Sequence, residues 1–184
     1  MIHKPVEVSG RALEVEIKAR VDDIGVIRER LLLRHATPSG RVHERDVYYN
    51  APDRDFGKTD EALRLRYTEA GCVLTYKGPK VKDFRLKARE ELNTGVESGP
   101  VIETILVRLG YTRVTGVEKW REYFAYKGAS VCLDEVKGLG DFIEIEAPLG
   151  QKDPEMFVRD IAHEIGVEGE PILASYLELL LGKE

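Results

Sequence analysis

Cysteine is scarce in this chain. Of 184 residues only Cys72 and Cys132 carry thiols, and neither sits in a C-x-x-C pair or beside a histidine in zinc-ligand spacing. That excludes a disulfide-built fold and leaves structural thiols in a reducing compartment as the expectation. No apolar run approaches the roughly 20 residues of a membrane span, and Met1 to Gly10 lacks the apolar core of a signal peptide. A cytoplasmic location without membrane partners is therefore expected. Positive charge is not in excess: 28 Lys and Arg face 33 Asp and Glu, a net charge of -5. This speaks against a protein that coats nucleic acid non-specifically, while leaving room for a local basic site. Histidine is sparse as well, and His3, His35, His43 and His163 fall at the terminus, on surfaces or at helix ends rather than in a metal pattern. Internal repeats and low-complexity tracts are lacking, and Gly and Pro act as punctuation between periodic segments.

What the chain has instead is charge, at 33% of its residues, arranged with a period of two. The length suits one domain over residues 1–184 with an ample core. In Leu13 to Ala19, Leu13, Val15, Ile17 and Ala19 alternate with Glu14, Glu16 and Lys18. Alternate side chains of an extended strand point to opposite faces, so one face is apolar and the other wholly ionic. Taken alone, the ionic face is either the wet side of an antiparallel strand or a functional wall.

The device recurs along the chain. Leu63 and Leu65 alternate with Arg64 and Arg66, and Val73 to Lys77 ends on a base after the tight turn at Glu69-Ala70-Gly71. Phe84 to Leu92 groups Arg85, Lys87, Arg89 and Glu91 on one face. Val117 to Ala125 carries Lys119 and Arg121 in phase, with Trp120 and Phe124 on the opposite face, where core under a helix is expected. Val131 to Glu135 includes Asp134, and Phe142 to Ala147 sets Glu144 and Glu146 against Ile143, Ile145 and Ala147. The strand Val42 to Tyr49 has no cleanly apolar face. Its Glu44, Asp46, Tyr48 and Tyr49 fit either a tunnel mouth or a solvated strand end. Apolar residues at three- and four-residue spacing predict helices after Asp22-Asp23, over Ser98 to Tyr111, Pro154 to Ile165 and Ile172 to Leu181. The sum is about eight strands and four helices, an α+β chain.

If the helices cover the apolar faces, the ionic faces must point elsewhere. Curling about eight strands into a barrel turns them into one lumen, wide enough for side chains and a small ligand. Burying so much charge without partners is prohibitively costly, and a wet tunnel receiving a polyanion and divalent cations relieves that cost. Arginine and lysine suit phosphate oxygens. Carboxylates beside them would repel phosphate unless Mg²⁺ or Mn²⁺ stood between. The residues thus describe a site for a metal-bound di- or triphosphate and point to phosphoryl or nucleotidyl transfer.

These motifs, Glu14-x-Glu16-x-Lys18, Glu61-Ala-Leu-Arg64-Leu-Arg66, Leu74-Thr-Tyr-Lys77-Gly-Pro, Lys87-x-Arg89-x-Glu91, Lys119-x-Arg121, and Asp134 followed by Gly140-Asp-Phe-Ile-Glu144-Ile-Glu146, resemble the CYTH family. The family unites class IV adenylyl cyclases and thiamine triphosphatases among the triphosphate tunnel metalloenzymes. The resemblance runs from about Ala12 to Leu180 and is similar above all to the cyclase branch. It implies a closed eight-stranded antiparallel β-barrel flanked by helices. It implies that Arg64, Arg66, Lys77, Lys87, Arg89, Lys119 and Arg121, with Lys18, bind the triphosphate. Glu14, Glu16, Glu144 and Glu146, with Glu91, would hold Mg²⁺ or Mn²⁺, and Glu14, Glu16, Lys18 and Asp134 would form the catalytic set. Asn93 departs from the pattern, which often has another acid there. The family-level expectation is ATP converted to cyclic AMP and pyrophosphate, with hydrolysis of tripolyphosphate, thiamine triphosphate or nucleoside triphosphates as the alternative, non-catalytic polyphosphate or nucleotide binding as a third reading, and a homodimer as the family-level assembly.

Overall fold

Strands with one apolar and one ionic face can satisfy both by closing on themselves, and this chain does so. A computed structural model describes residues 13–81 and 87–182. Its elements are β1 (Leu13–Arg20), α1 (Ile24–Leu33), β2 (Thr37–Asn50), α2 (Phe56–Thr59), β3 (Ala62–Thr68), β4 (Gly71–Lys77), β5 (Lys87–Val96), α3 (Gly99–Arg108), β6 (Thr112–Tyr126), β7 (Ala129–Val136), β8 (Gly140–Glu146), α4 (Pro154–Glu164) and α5 (Tyr176–Leu180). The eight strands form a closed antiparallel barrel in the order β1-β5-β4-β3-β2-β6-β7-β8. β1 closes it, pairing Glu14 with Arg89 on one side and Lys18 with Glu144 on the other. The β6–β7 turn is made by Lys127 and Gly128, both at positive φ, the backbone that a two-residue hairpin requires.

The outward apolar residues are buried in two clusters. Val15, Ile17, Val131, Leu133, Ile143 and Ile145 pack with Ile27 and Leu31 of α1 and with Val158 and Ile161 of α4. Val47, Leu63 and Leu65 pack with Phe56 of α2 and Leu106 of α3. A third cluster joins Tyr48, Val117, Val136 and Phe142 with Tyr176 of α5. These four strand residues continue the inward series of the ionic positions. Asp46 is followed by Tyr48, Lys119 is preceded by Val117, Asp134 is followed by Val136, and Glu144 is preceded by Phe142. The lumen therefore changes from ionic to apolar toward the β7–β8 turn, and α5 lies over that end.

Three expectations change, and the start of a fourth element lies outside the described residues. There are five helices among the described residues, because the loop after β2 winds one turn, α2, started by the Asp55 carboxylate accepting from the Gly57 amide. The last helix begins at Tyr176 rather than Ile172. Ser175 starts it with a capping box that includes Glu178, and Ile172 instead donates its amide to the Lys18 carbonyl at 2.8 Å. Phe124 is core, but Trp120 is 43% exposed. It stacks on His43 at 4.7 Å beyond the reach of the α1 and α4 cluster. The predicted strand from Phe84 begins, among the described residues, at Lys87; Phe84, Arg85 and Leu86 lie outside them.

Candidate functional site

Period two decides what enters the lumen. β1 supplies Glu14, Glu16 and Lys18, β3 Arg64 and Arg66, β4 Lys77, β5 Arg89 and Glu91, β6 Lys119 and Arg121, and β8 Glu144 and Glu146. All of these line one cavity of about 1430 Å³, ample beside the roughly 300–1,000 Å³ of small-molecule pockets. Asp134 belongs to the same inward set and is fully buried behind Arg121. The backbone of Lys87 is part of β5, and its side chain lies outside what is described.

One half of the lumen is a basic cluster held by β2 acids. Arg66 donates from Nε and Nη2 to the two Asp46 oxygens, both at 2.7 Å. Its Nη1 lies 2.9 Å from Glu44. Lys119 Nζ lies 2.7 Å from Glu44 and 3.6 Å from Asp46. Arg64 donates to Thr75 Oγ1 at 3.1 Å and lies 3.7 Å from Asp46 and 3.6 Å from Glu91. Burial alone would raise Glu44, yet Arg121, Arg66 and Lys119 outweigh it and hold the carboxyl at about 2. Burial opposes ionisation of Asp46 too, and Arg64 and Arg66 hold it well below the usual carboxylate range. The Lys119 ammonium is pushed down by burial and by Arg66 and Arg121. Such a cluster carries more positive than negative charge, which suits an anionic ligand.

The other half is carboxylate-rich. Glu91 pairs with Lys77, and although burial works against it, Lys77 and Arg64 hold it well below its ordinary range. Glu14 behaves oppositely: burial, then the neighbouring Glu91 and Glu146 carboxylates, raise it to about 8. Arg121 donates from Nε to Asp134 Oδ1 at 2.6 Å and also pairs with Glu144. Lys18 Nζ lies 3.2 Å from Glu144. The buried Nε atoms of Arg64 and Arg89 have no acceptor among the described residues, although Arg89 Nη2 donates to Asp60 at 3.1 Å.

A divalent cation fits the donor chemistry of the second half. Burial first, then the Glu91 and Glu146 carboxylates, raise Glu14 to about 8, and a hard cation with oxygen ligands offsets that cost of ionising it. Among the described residues no three His, Cys, Asp or Glu side chains already form a cation cage. Mg²⁺ does not require one, since it takes one or two carboxylates and completes its shell with water and substrate phosphate.

Two of the residues left open in the sequence prove to be central. Glu44 and Asp46 are 2% and 1% exposed and face the arginines, so they are neither a solvated strand end nor a mouth. Their signal was the repeat of an acid every second residue ahead of Tyr48. Tyr176 was legible only as part of an apolar stripe. Its hydroxyl in fact donates to Asp134 Oδ2 at 2.7 Å, and burial, then Glu144 and Asp134, raise its phenol well above the ordinary value. Asn93 adds no acid but joins the lumen network, accepting from Thr75 Oγ1 at 2.7 Å and donating to Glu91 at 3.2 Å. Glu61 is spent outside the ionic belt, accepting from Arg54 at 2.8 Å and from Tyr76 at 2.6 Å.

The family model described as "CYTH domain" matches residues 12–172. A Methanocaldococcus jannaschii protein bearing the name "Putative adenylate cyclase" is 34% identical over 172 residues, which cover 91% of this chain and 98% of that protein. Among solved structures, a Pyrococcus horikoshii OT3 protein superposes with a TM-score of 0.81 at 38% identity, covering 93% of this chain and 99% of the other. A Hippeastrum protein named as a putative adenylyl cyclase with a dominant triphosphatase activity shares the fold, with a TM-score of 0.67 at 19% identity over 93% and 97% of the two chains. Barrel, ionic lumen and family match coincide over nearly the whole chain, which belongs to the CYTH domain family.

Proposed function

We propose that this chain is a divalent-cation-dependent enzyme acting on a triphosphate held in the barrel lumen, and that its reaction is the conversion of ATP to cyclic AMP and pyrophosphate. The observation that carries the triphosphate reading is the convergence of cations on one cavity, which Lys18, Arg64, Arg66, Lys77, Arg89, Lys119 and Arg121 all line. Cationic donors fixed in a low-dielectric site bind phosphate oxygens strongly. Lys18, Arg64, Arg66, Lys77, Lys87, Arg89, Lys119 and Arg121 would grip the phosphate chain. Glu14, Glu16, Glu144 and Glu146, with Glu91 behind them, would hold Mg²⁺ or Mn²⁺, which when bound neutralises phosphate charge and eases departure of the leaving group.

Two observations support the cyclase reaction over simple hydrolysis. The cavity continues past the ionic belt, away from α5, along Val42, Tyr123, Ser130, Pro148 and Leu149. That is room for a substituent larger and less polar than phosphate. The Methanocaldococcus jannaschii relative, similar over almost its full length, bears the name "Putative adenylate cyclase". In that reaction the ribose 3′-hydroxyl attacks the α-phosphorus and pyrophosphate leaves. The basic cluster stabilises the charge developing on the pyrophosphate. Hydrolysis of the terminal phosphate is the second reading, favoured by the activity in the name of the Hippeastrum protein of the same fold. Pure protein incubated with Mg²⁺ or Mn²⁺ and, separately, ATP, tripolyphosphate and thiamine triphosphate tests both. Cyclic AMP with equimolar pyrophosphate is the expected result from ATP. Orthophosphate release without cyclic AMP would replace the cyclase with a triphosphatase, and tight binding without turnover would make the protein a polyphosphate or nucleotide binder.

A further inference from the structure

α5 is a five-residue helix outside the barrel, too short to be stable alone. It is nevertheless docked on the lumen by several bonds. The Lys18 ammonium donates to the Ala174 carbonyl at 3.1 Å, and Lys80 Nζ lies 3.0 Å from Glu178. The capping box of Ser175 and Glu178 fixes where the helix begins. Docking brings in Tyr176, which is 7% exposed and packs edge-on against Phe142 at 5.0 Å. Its hydroxyl reaches Asp134 Oδ2 at 2.7 Å, while the opposite oxygen of Asp134 accepts from Arg121 Nε at 2.6 Å. The Lys18 ammonium stands 4.1 Å from the centroid of the same ring.

We infer that Tyr176 is a positioning residue of the phosphate site: its hydroxyl fixes Asp134, and through it the Arg121 guanidinium, while its ring face seats Lys18. The inference rests on the reading of the lumen as a triphosphate site. A buried carboxylate facing a guanidinium has several rotamers in which one N–H···O bond is lost. A donor on its second oxygen selects the orientation that presents both oxygens to Arg121. The ring gives Lys18 a cation–π seat that leaves its charge intact. A residue that orders binding groups before the ligand arrives improves ground state and transition state alike, so its loss raises KM and spares kcat. A residue that merely filled space would be replaced by phenylalanine without effect.

Steady-state kinetics on ATP and direct binding of tripolyphosphate, with melting curves for each variant, read this. Tyr176→Phe is expected to keep the fold and to hold kcat within about twofold while KM rises about tenfold, the loss of one hydrogen bond to a charged group. Tyr176→Leu, which also removes the seat of Lys18, is expected to raise KM further. In an Asp134→Asn background the added factor of Tyr176→Phe is expected to fall below about twofold, because the hydroxyl acts through that carboxylate. A Tyr176→Phe enzyme with wild-type KM overturns the inference and leaves the triphosphate reading intact, as does a full tenfold effect persisting in the Asp134→Asn background. A wild-type protein that neither binds nor turns over any triphosphate overturns the functional reading and the inference together. Should Tyr176→Phe fail to fold, Asp134→Asn reads the same link from its other end, and a KM within twofold of wild type overturns it.

Discussion

Glu14 and Glu44 show how the same side chain takes opposite roles within one lumen. Glu44, held at about 2 against its burial by Arg121, Arg66 and Lys119, contributes stability that is present above the ordinary carboxylate range and is lost as the pH falls toward 2. Glu14, raised to about 8 by burial and by Glu91 and Glu146, has the reverse sign. The folded chain keeps a proton that the unfolded chain releases near pH 4.5, so this group destabilises the fold progressively as the pH climbs from about 4.5 to about 8. Glu14→Gln removes that penalty. Its melting temperature without metal is expected to exceed wild type by a few degrees at pH 8 and to match it at pH 4, and a fall at pH 8 in differential scanning calorimetry would refute the repulsion. The same variant should gain less from added Mg²⁺ or Mn²⁺. Glu146→Gln, on the neighbouring strand, is expected to abolish cation-dependent turnover, by 100-fold or more in kcat/KM, with an unchanged circular dichroism spectrum. Arg64→Ala strips a guanidinium that lines the cavity. Tripolyphosphate should then bind at least tenfold more weakly by calorimetry, since a charge-assisted bond contributes about 1.5–3 kcal/mol.

At the level of elements, legibility followed the purity of each pattern. β1, β3 and β8 alternate apolar and ionic residues without exception over their core stretch, and each proved to be a barrel strand with its charges inward. β2 did not declare itself, because His43 and Arg45 share its outer face with Val47. His43 is occupied by Trp120 and Glu118, and Arg45 by the ring of Tyr67 at 4.1 Å. Sequence shows a charged residue but not whether its partner lies across the sheet or across the lumen, and that partner decided the role of Glu44 and Asp46. Trp120 misled for a related reason: facing away from the lumen does not guarantee a helix overhead. Apolar spacing that continues through Ile172 and Leu173 predicts a longer α5, whereas a helix starts where a cap satisfies its first amides. Ser175 is that cap, accepting from the Glu178 amide at 3.2 Å. Ser175→Ala is expected to cost about 1 kcal/mol, a drop of roughly 2–4 °C in melting temperature for a chain of this size.

For the molecule as a whole, the barrel stands on a balance of charge that its ligand alters. Arg66 of β3 and Lys119 of β6 are paired with Glu44 and Asp46, Arg121 of β6 with Asp134 and Glu144, and Lys18 of β1 and Lys77 of β4 with Glu144 and Glu91. Ion pairs of this depth recover only part of the cost of desolvation. A triphosphate entering alone would meet the basic cluster favourably and the carboxylates of β1 and β8 unfavourably. A divalent cation entering alone would meet the reverse. Together each cancels the repulsion felt by the other, so binding of the two should be strongly cooperative, with each ligand raising the affinity of the other by the same factor. The measurement is a melting series with tripolyphosphate, with Mg²⁺ or Mn²⁺, and with both. At a hundredfold excess over Kd the ternary complex gains about 2.7 kcal/mol, equivalent to roughly 5–10 °C here. The joint shift is expected to exceed the sum of the separate shifts, and a chelator should return it to the value for tripolyphosphate alone. Strict additivity would mean that cation and phosphate occupy independent places and would separate the carboxylate wall of β1 and β8 from the chemistry of the basic one.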